Sequence, residues 1–194
     1  MTPVFLWLVA CVPVLHSPDA DDSGATNTGG YVLPDNAWPQ SAPPADLEGD
    51  GYGVGEVLID FRMPDQHGDT TSLWQFYGNV ILVDISTMWC SPCQEIAGDV
   101  QATADDYRDE GFAYVTVLAQ DLGSDAPDQE ELNTWADYFG IVEPVLSDQD
   151  AWYVGAVPTA TFPGLLVVGR DMTVVARDIA ANDAAIRAAI EAAL

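Results

Sequence analysis

Two of the three cysteines stand three positions apart, at Cys90 and Cys93, within the stretch VILVDISTMWCSPCQEI. Thiols at this spacing can close a structural disulfide, supply two zinc ligands, or exchange electrons with other thiols. A disulfide that closes so short a loop stabilises a fold only modestly. Zinc takes about four ligands, and the only histidines are His16 and His67. The pair therefore favours thiol–disulfide exchange, and we expect neither a metal nor a cofactor.

The elements around the pair would place it at the junction of a strand and a helix. Residues 79–86 form a continuous apolar run, which predicts a strand buried on both faces. Residues 94–111 carry apolar side chains at helical spacing and predict a helix. Cys90 would follow the strand, and Cys93 would lie in the first helical turn, where free N–H groups favour a thiolate. Pro92 suits this turn because its missing N–H is not needed there.

The remaining patterns predict an α/β domain from residue 55 to residue 194. They indicate two short strands around a polar turn (57–76), a buried strand (112–120), a helix (127–140), a short strand (143–147), a hairpin (164–178) and a terminal amphipathic helix (182–194). This order predicts a central mixed β-sheet with helices on both faces.

The stretch ILVDISTMWCSPC resembles the active-site strand and motif of the thioredoxin superfamily. The resemblance implies a thioredoxin-like fold, with Cys90 as the nucleophile and Cys93 as the resolving thiol. It also implies that Trp89 packs beside the disulfide. Asp84 would be the buried carboxylate that exchanges a proton with the resolving thiol, and burial would raise its pKa.

Two further segments are similar to the exported TlpA-like and redoxin (AhpC/TSA-like) branch: VGEVLIDFRMPDQHGDTTSLWQFYGN and an extra helical segment between Ala119 and Gly155. This resemblance implies disulfide exchange with protein partners outside the cytoplasm and an upstream thiol donor or acceptor. The branch usually has Glu three residues after the second cysteine, where this chain has Ile96, with Glu95 one position early. A role in cytochrome maturation is therefore unsupported.

The family also has a cis-proline that faces the disulfide, and the segment AVPTATFPGLLVVGRD offers two candidates. Pro158 lies in the sequence Val-Pro-Thr, which is usual around this proline in the family. Pro163 has the better spacing to the following hairpin, and we prefer it for this reason.

Two other functions stay open at this point. A peroxiredoxin-like peroxide reductase is one, because Thr87 stands three residues before Cys90, although Val83 occupies the place of the expected Pro. A non-catalytic binding module with the same fold is the other.

The N-terminus resembles a bacterial lipoprotein signal, with an apolar run that ends in Leu8-Val9-Ala10-Cys11. The resemblance implies that residues 1–11 are a signal segment and that Cys11 carries lipid. The protein would then lie on the periplasmic side, attached to a membrane through this lipid alone. An ordinary signal peptide on a secreted protein is the alternative, since no Lys or Arg precedes the run.

Residues 12–54 are rich in Pro, Gly, Ser, Asp and Ala and predict a flexible tether. Within them, Asp46, Glu48 and Asp50 have the alternating spacing of a calcium loop, but Val57 stands where an EF-hand loop needs Glu. Calcium binding stays open.

The charge of the chain excludes one class of partner. It carries 31 acidic residues against five Arg and no Lys, a net charge of −26. Such a surface repels phosphate backbones, so we expect no nucleic-acid partner.

Overall fold

The structure, a computed structural model, describes residues 30–156 and 160–194. Seven strands and five α-helices lie in these residues, with 3₁₀ turns at Leu73–Gln75 and Arg108–Glu110. In chain order they are β1 (Arg62–Pro64), β2 (Thr70–Ser72), β3 (Val80–Thr87), α1 (Ser91–Ala97), α2 (Val100–Tyr107), β4 (Phe112–Gln120), α3 (Gln129–Phe139), β5 (Val145–Ser147), α4 (Trp152–Ala156), β6 (Gly164–Val168), β7 (Val174–Arg177) and α5 (Asp183–Glu191).

Five of these strands form one mixed sheet in the order β5-β4-β3-β6-β7, while β1 and β2 pair separately. β3 runs parallel to β4, which runs parallel to β5. β6 is antiparallel to both β3 and β7. All eight residues of β3 are buried, as expected for an apolar run in the centre of a covered sheet.

Both faces of the sheet are covered. On one face, α1, α2, α3 and α5 bury the side chains of Ile96, Ala97, Val100, Ala104, Leu132, Trp135, Ile186 and Ile190. On the other face lie residues 58–76 and α4, which contributes Tyr153. The predicted α/β class, with a central mixed sheet and helices on both faces, is confirmed.

The helix predicted over residues 94–111 is two helices in the structure. α1 ends at Ala97 with Gly98 as its C-terminal cap, and α2 starts after Asp99. Glycine and aspartate both have low helix propensity, so Gly98 and Asp99 interrupt the helix. The buried positions Ile96 and Val100 still face one core, which is why the periodicity looks continuous.

Residues 30–54, part of the expected flexible tether, pack against the domain instead. The indole N–H of Trp38 donates to a carboxylate oxygen of Asp65 at 2.6 Å, and the hydroxyls of Tyr31 and Ser72 lie 2.6 Å apart. Trp38 also packs, partly buried, against the apolar side chains on the α4 face of the sheet. The average composition of the segment hides these aromatic side chains, which bury enough surface to order it. The expected signal segment, with Cys11, lies outside the described residues.

Within residues 30–156 and 160–194, no helix combines the length and the apolar character needed to cross a bilayer.

Candidate functional site

The two cysteines lie where β3 leads into α1. Cys90 is the residue that caps the N-terminus of α1, and Pro92 lies in its first turn. Cys90 and Cys93 form a disulfide, with their Cα atoms 5.2 Å apart. The backbone N–H of Cys93 donates to Sγ of Cys90 at 3.3 Å. Cys93 is fully buried while Cys90 keeps a small exposed fraction, so Cys90 is the sulfur that a partner can approach.

Asp84 is a carboxyl group inside the core, with only 1% of its surface exposed. Ser86 donates its hydroxyl hydrogen to Oδ1 of Asp84 at 2.6 Å, and the Tyr114 hydroxyl donates to Oδ2 at 3.4 Å. Burial raises the pKa of Asp84 to about 6, although these two hydrogen bonds act to lower it. Burial likewise raises the pKa of Tyr114 well above its usual value.

Asp84 lies on the same side of the sheet as the helix that carries Cys93. Successive side chains of a strand alternate between the two faces, so Asp84 shares a face with Val80 and Leu82. Those two residues pack in one core with Ile96 and Ala97 of α1. The carboxyl group is therefore placed beneath the layer that holds the cysteines.

Trp89 connects the cysteines to two other strands. Its indole N–H donates to Oε1 of Gln120, the last residue of β4, at 3.1 Å. Its ring also meets the Phe162 ring edge-on, with centroids 6.0 Å apart. The Phe162–Pro163 peptide bond is cis and precedes β6 directly. Pro158, the other candidate for the cis-proline, lies outside the described residues.

Tyr153 of α4 supports the segment that contains Pro163. Its hydroxyl donates to the carbonyl oxygen of Thr161 at 3.1 Å, and its ring lies 5.8 Å from that of Phe162. Gly164 packs directly against this hydroxyl, where a Cβ atom would collide with it. The glycine therefore allows α4 to hold the 161–163 segment close to the sheet.

No cation lies among the side chains described above. Within the described residues, the five arginines form their hydrogen bonds and ion pairs away from this site. Their partners are side chains or backbone carbonyls of Val32, Tyr52, Asp60, Gly78, Asp105, Asp106, Glu110, Gly111, Glu143, Asp178 and Asp183. A thiolate at this site would be stabilised by backbone N–H groups rather than by a charged side chain.

In the described part of the chain, no group of three or more His, Cys, Asp or Glu side chains is arranged to hold a metal ion. In the acidic run that has calcium-loop spacing, the Asp50 carboxylate accepts a hydrogen bond from the backbone N–H of Val57 at 2.7 Å. His67 stacks on Trp38, with ring centroids 5.2 Å apart. His16 lies outside the described residues.

The structure thus brings Cys90, Cys93, Trp89 and Pro163 to one end of the sheet and places Asp84 in the core on the face that α1 covers. Sequence reasoning missed the partners of these residues. Ser86 could have been predicted as a partner of Asp84, because residues two positions apart in a strand lie on the same face. The sequence predicts neither the strand register that brings Tyr114 and Gln120 to the site nor the helix α4 that carries Tyr153.

Comparison with known proteins gives one curated relative, the thioredoxin-like protein YneN of Bacillus subtilis. It is 23% identical over 99 residues, which cover 51% of this chain and 56% of the relative. The chain therefore spans about half the length of the curated relative that it matches.

Solved structures share the fold at low sequence identity. The thioredoxin domain of a thiol-disulfide oxidoreductase from Bacteroides vulgatus is 19% identical with a TM-score of 0.62, over 73% of this chain and 99% of that one. A thioredoxin-family thiol:disulfide interchange protein from Chlorobium tepidum is 18% identical with a TM-score of 0.56, over 77% and 99% of the two chains. These likenesses confirm the predicted thioredoxin-like fold.

A family model described as the AhpC/TSA family matches residues 54–177. The match covers more than half of the chain and includes β3, both cysteines and the strand pair β6–β7. The chain belongs to the AhpC/TSA family.

Proposed function

We propose that this protein exchanges disulfides with partner proteins outside the cytoplasm through the Cys90–Cys93 couple. The observation that carries the proposal is the disulfide itself, formed at the entrance to α1 with Cys90 as the more exposed of its two residues. Membership of the AhpC/TSA family and the similarity to thiol:disulfide interchange proteins support it.

The exchange would proceed in two steps of sulfur transfer. In the reduced protein, the Cys90 thiolate attacks one sulfur of a partner disulfide, forms a mixed disulfide, and releases the other partner sulfur as a thiolate. Cys93 then loses its proton, attacks Sγ of Cys90, and releases the second partner thiol. The partner gains two electrons and the Cys90–Cys93 pair loses two. The reverse sequence oxidises a partner dithiol, and the difference in reduction potential sets the direction.

Asp84 would accept the proton of Cys93 in the second step. Cys93 is buried and solvent has no direct access to its thiol, so a proton acceptor inside the fold would speed its ionisation. A carboxyl group with a pKa of about 6 is mostly ionised at neutral pH, so it can accept a proton from Cys93 and later return it.

Trp89 and Pro163 would form the surface on which a partner segment lies. Trp89 is 48% exposed beside the cysteines, and its ring packs against Phe162, the residue directly before Pro163. An upstream thiol donor or acceptor, different from the client protein, would restore the starting redox state after each cycle.

Insulin reduction by the purified protein with dithiothreitol tests this function. We expect precipitation of the insulin B chain to accelerate, and Cys90→Ser to abolish the acceleration. Cys93→Ser should instead accumulate mixed disulfides, visible on non-reducing gels. Consumption of hydrogen peroxide without insulin reduction would favour the peroxidase alternative. Neither activity in the wild-type protein would favour a binding module.

We also propose that Cys11 carries lipid and that the signal segment is cleaved directly before it, which removes residues 1–10. The support is the Leu8-Val9-Ala10-Cys11 sequence after an apolar run. In a bacterial host, the full chain should label with radioactive fatty acid and sediment with membranes. Cys11→Ala should lose both properties, and retention of the label in that variant would refute the proposal.

A further inference from the structure

An apolar pocket of about 230 Å³ opens beside the cysteines. Three parts of the chain form its wall: the turn before the cysteines with α1, the loop after β4, and the outer side of α3. Its lining residues are Met88, Gln94, Leu122, Thr134, Trp135, Tyr138 and Phe139.

The pocket wall is built from the same residues that frame the disulfide. The side-chain amide of Gln94 donates to the carbonyl oxygen of Met88 at 2.7 Å, and its backbone N–H donates to the carbonyl oxygen of Cys90 at 3.1 Å. The Met88 N–H in turn donates to the carbonyl oxygen of Gln120 at 2.9 Å, two residues before Leu122. A chain that reaches Cys90 can therefore place a neighbouring side chain in the pocket.

Large apolar side chains around this pocket remain exposed to solvent. Leu122 is 75% exposed and Tyr138 is 81% exposed. On the same helix, Leu132 and Trp135 are buried in the core, so Tyr138 has no role in packing α3 on the sheet. One exposed apolar residue is ordinary on a protein surface, but two that border one pocket beside a reactive disulfide are suited to an apolar ligand.

The charge around the pocket indicates which charged residues a ligand can carry next to its apolar side chain. Carboxylates adjoin three of its lining residues in sequence: Glu95 follows Gln94, Asp121 precedes Leu122, and Asp137 precedes Tyr138. Within the described residues, no arginine side chain donates a hydrogen bond to a pocket residue. The chain has no lysine, and its net charge is −26. An acidic segment would be repelled here, and a basic one attracted.

We propose that this pocket selects the client of the exchange reaction. It binds one large apolar or aromatic side chain of a basic polypeptide segment, close in sequence to the cysteine that reacts with Cys90. This inference rests on the proposed function and adds to it the chemical class of the client.

The test uses four thiols against the oxidised protein. Three are peptides with one cysteine, which differ only in neighbouring residues: Phe with Arg, Ala with Arg, and Phe with Glu. The fourth is 2-mercaptoethanol, which is small and uncharged. In each case the thiolate form of the reagent attacks Sγ of Cys90, and Cys93 leaves as a thiolate that takes up a proton. A second reagent molecule then attacks the mixed disulfide, which yields reduced Cys90 and a disulfide of two reagent molecules. The rate is followed as the appearance of reduced Cys90 by mass spectrometry after acid quenching and alkylation.

We expect the Phe–Arg peptide to react about tenfold faster than the Ala–Arg peptide. Burial of an aromatic side chain in the pocket strengthens binding by at least the free energy that corresponds to a tenfold change. The Phe–Arg peptide should also react faster than the Phe–Glu peptide. Raising NaCl from about 0.05 M to about 0.5 M should reduce the ratio of these two rates, because salt screens the charges. Equal rates for all three peptides would overturn the proposal.

Variants of exposed pocket residues locate the effect. Tyr138→Ser and Leu122→Ser should lower the ratio of the Phe–Arg to the Ala–Arg rate, and Thr134→Trp should lower it by filling the pocket from an exposed helical position. Val54→Ser is the matched control, since Val54 is 62% exposed and does not line the pocket, and it should leave the ratio unchanged. An unchanged ratio in all three pocket variants would refute the proposal. If even 2-mercaptoethanol leaves the disulfide intact, the proposed function itself fails, which is a different result from equal peptide rates.

Discussion

Replacing Asp84 by Asn should make the disulfide form of the protein more resistant to denaturation at alkaline pH and change it little in acid. Asn has nearly the shape of Asp, and its oxygen can still accept the hydrogen bond that Ser86 donates at 2.6 Å. It differs in that it never ionises. The substitution therefore isolates the free energy of carrying a negative charge in the core.

The magnitude follows from the pKa of Asp84, which burial raises from 3.8 to about 6. Between these pH values the native state binds more protons than the unfolded state, so the free energy of unfolding falls as pH rises. The stability that the raised pKa of Asp84 confers, relative to the ionised carboxylate, is fully present below about pH 4 and is lost once pH exceeds about 6. A rise of about two pH units at roughly 1.4 kcal/mol each amounts to about 3 kcal/mol.

Urea unfolding of the oxidised wild-type and Asp84→Asn proteins at about pH 4 and about pH 8 measures this term. The stability of Asp84→Asn relative to wild type should increase by about 3 kcal/mol from the lower to the higher pH. The many other carboxylates titrate in both proteins, so their effect cancels in this comparison. Asp137→Asn, at an exposed position on α3, is the matched control and should show no such increase.

A constant stability difference between wild type and Asp84→Asn across this range would refute the reasoning. It would mean that the carboxyl group is solvated or paired in the native protein. If the stability difference behaves as expected but insulin reduction is unaffected at neutral pH, Asp84 is a buried charge without a role in proton transfer. We expect instead that Asp84→Asn slows the release of the mixed disulfide by tenfold or more, which is typical of losing a general base.

Three further predictions concern the packing around the site and the charge of the chain. Trp38→Phe removes the indole N–H that donates to the buried carboxylate of Asp65, and it should lower the free energy of unfolding by about 1–3 kcal/mol. An unchanged urea midpoint would show that this hydrogen bond does not stabilise the fold. Gly164→Ala places a methyl group against the Tyr153 hydroxyl and should destabilise by about 1–3 kcal/mol, with part of the loss recovered in the double variant Gly164→Ala/Tyr153→Phe. Finally, a net charge of −26 opposes compaction, so about 0.5 M NaCl should raise Tm by several degrees through screening; a Tm independent of salt would contradict this account.

The sequence predicts most of the fold because its strongest signals are local. The apolar runs that became β3 and β4 and the apolar spacing of α3 and α5 depend only on burial of adjacent residues. The strand–helix junction at the cysteines follows from the same signals. Asp84 lies inside the first of these runs, the resemblance to the thioredoxin superfamily implies its burial, and its pKa rises as burial requires.

The missed features depend on contacts between residues far apart in the chain. Residues 30–54 read as a tether because Pro, Gly and acidic residues dominate them, yet Trp38 finds an acceptor in Asp65 across 27 positions. The break between α1 and α2 is local, but the core position of Val100 hides it. α4 covers only five residues, too few to leave a periodic pattern.

The position of β3 explains why residues from three distant segments meet at the disulfide. β4 runs parallel to β3, so its last residue, Gln120, pairs with Thr87 at the end from which the cysteines follow. β6 runs antiparallel, so its first residue, Gly164, pairs with Ile85 at that same end. Any residue just beyond the end of β4 or just before β6 must therefore lie near Cys90. This is why Trp89 contacts both Gln120 and Phe162.

Under the proposed function, the two sides of the disulfide would have different chemical tasks. The β6 side carries the cis Phe162–Pro163 bond and is held by Tyr153, whose hydroxyl is fixed on Thr161. The β4 side leads into the loop with Leu122, whose side chain is largely exposed. A rigid backbone suits the reaction common to all clients, whereas exposed apolar side chains suit the recognition of one class of them. Substitutions near Thr161 should therefore change exchange with every thiol, and those at Leu122 should change the preference among peptides.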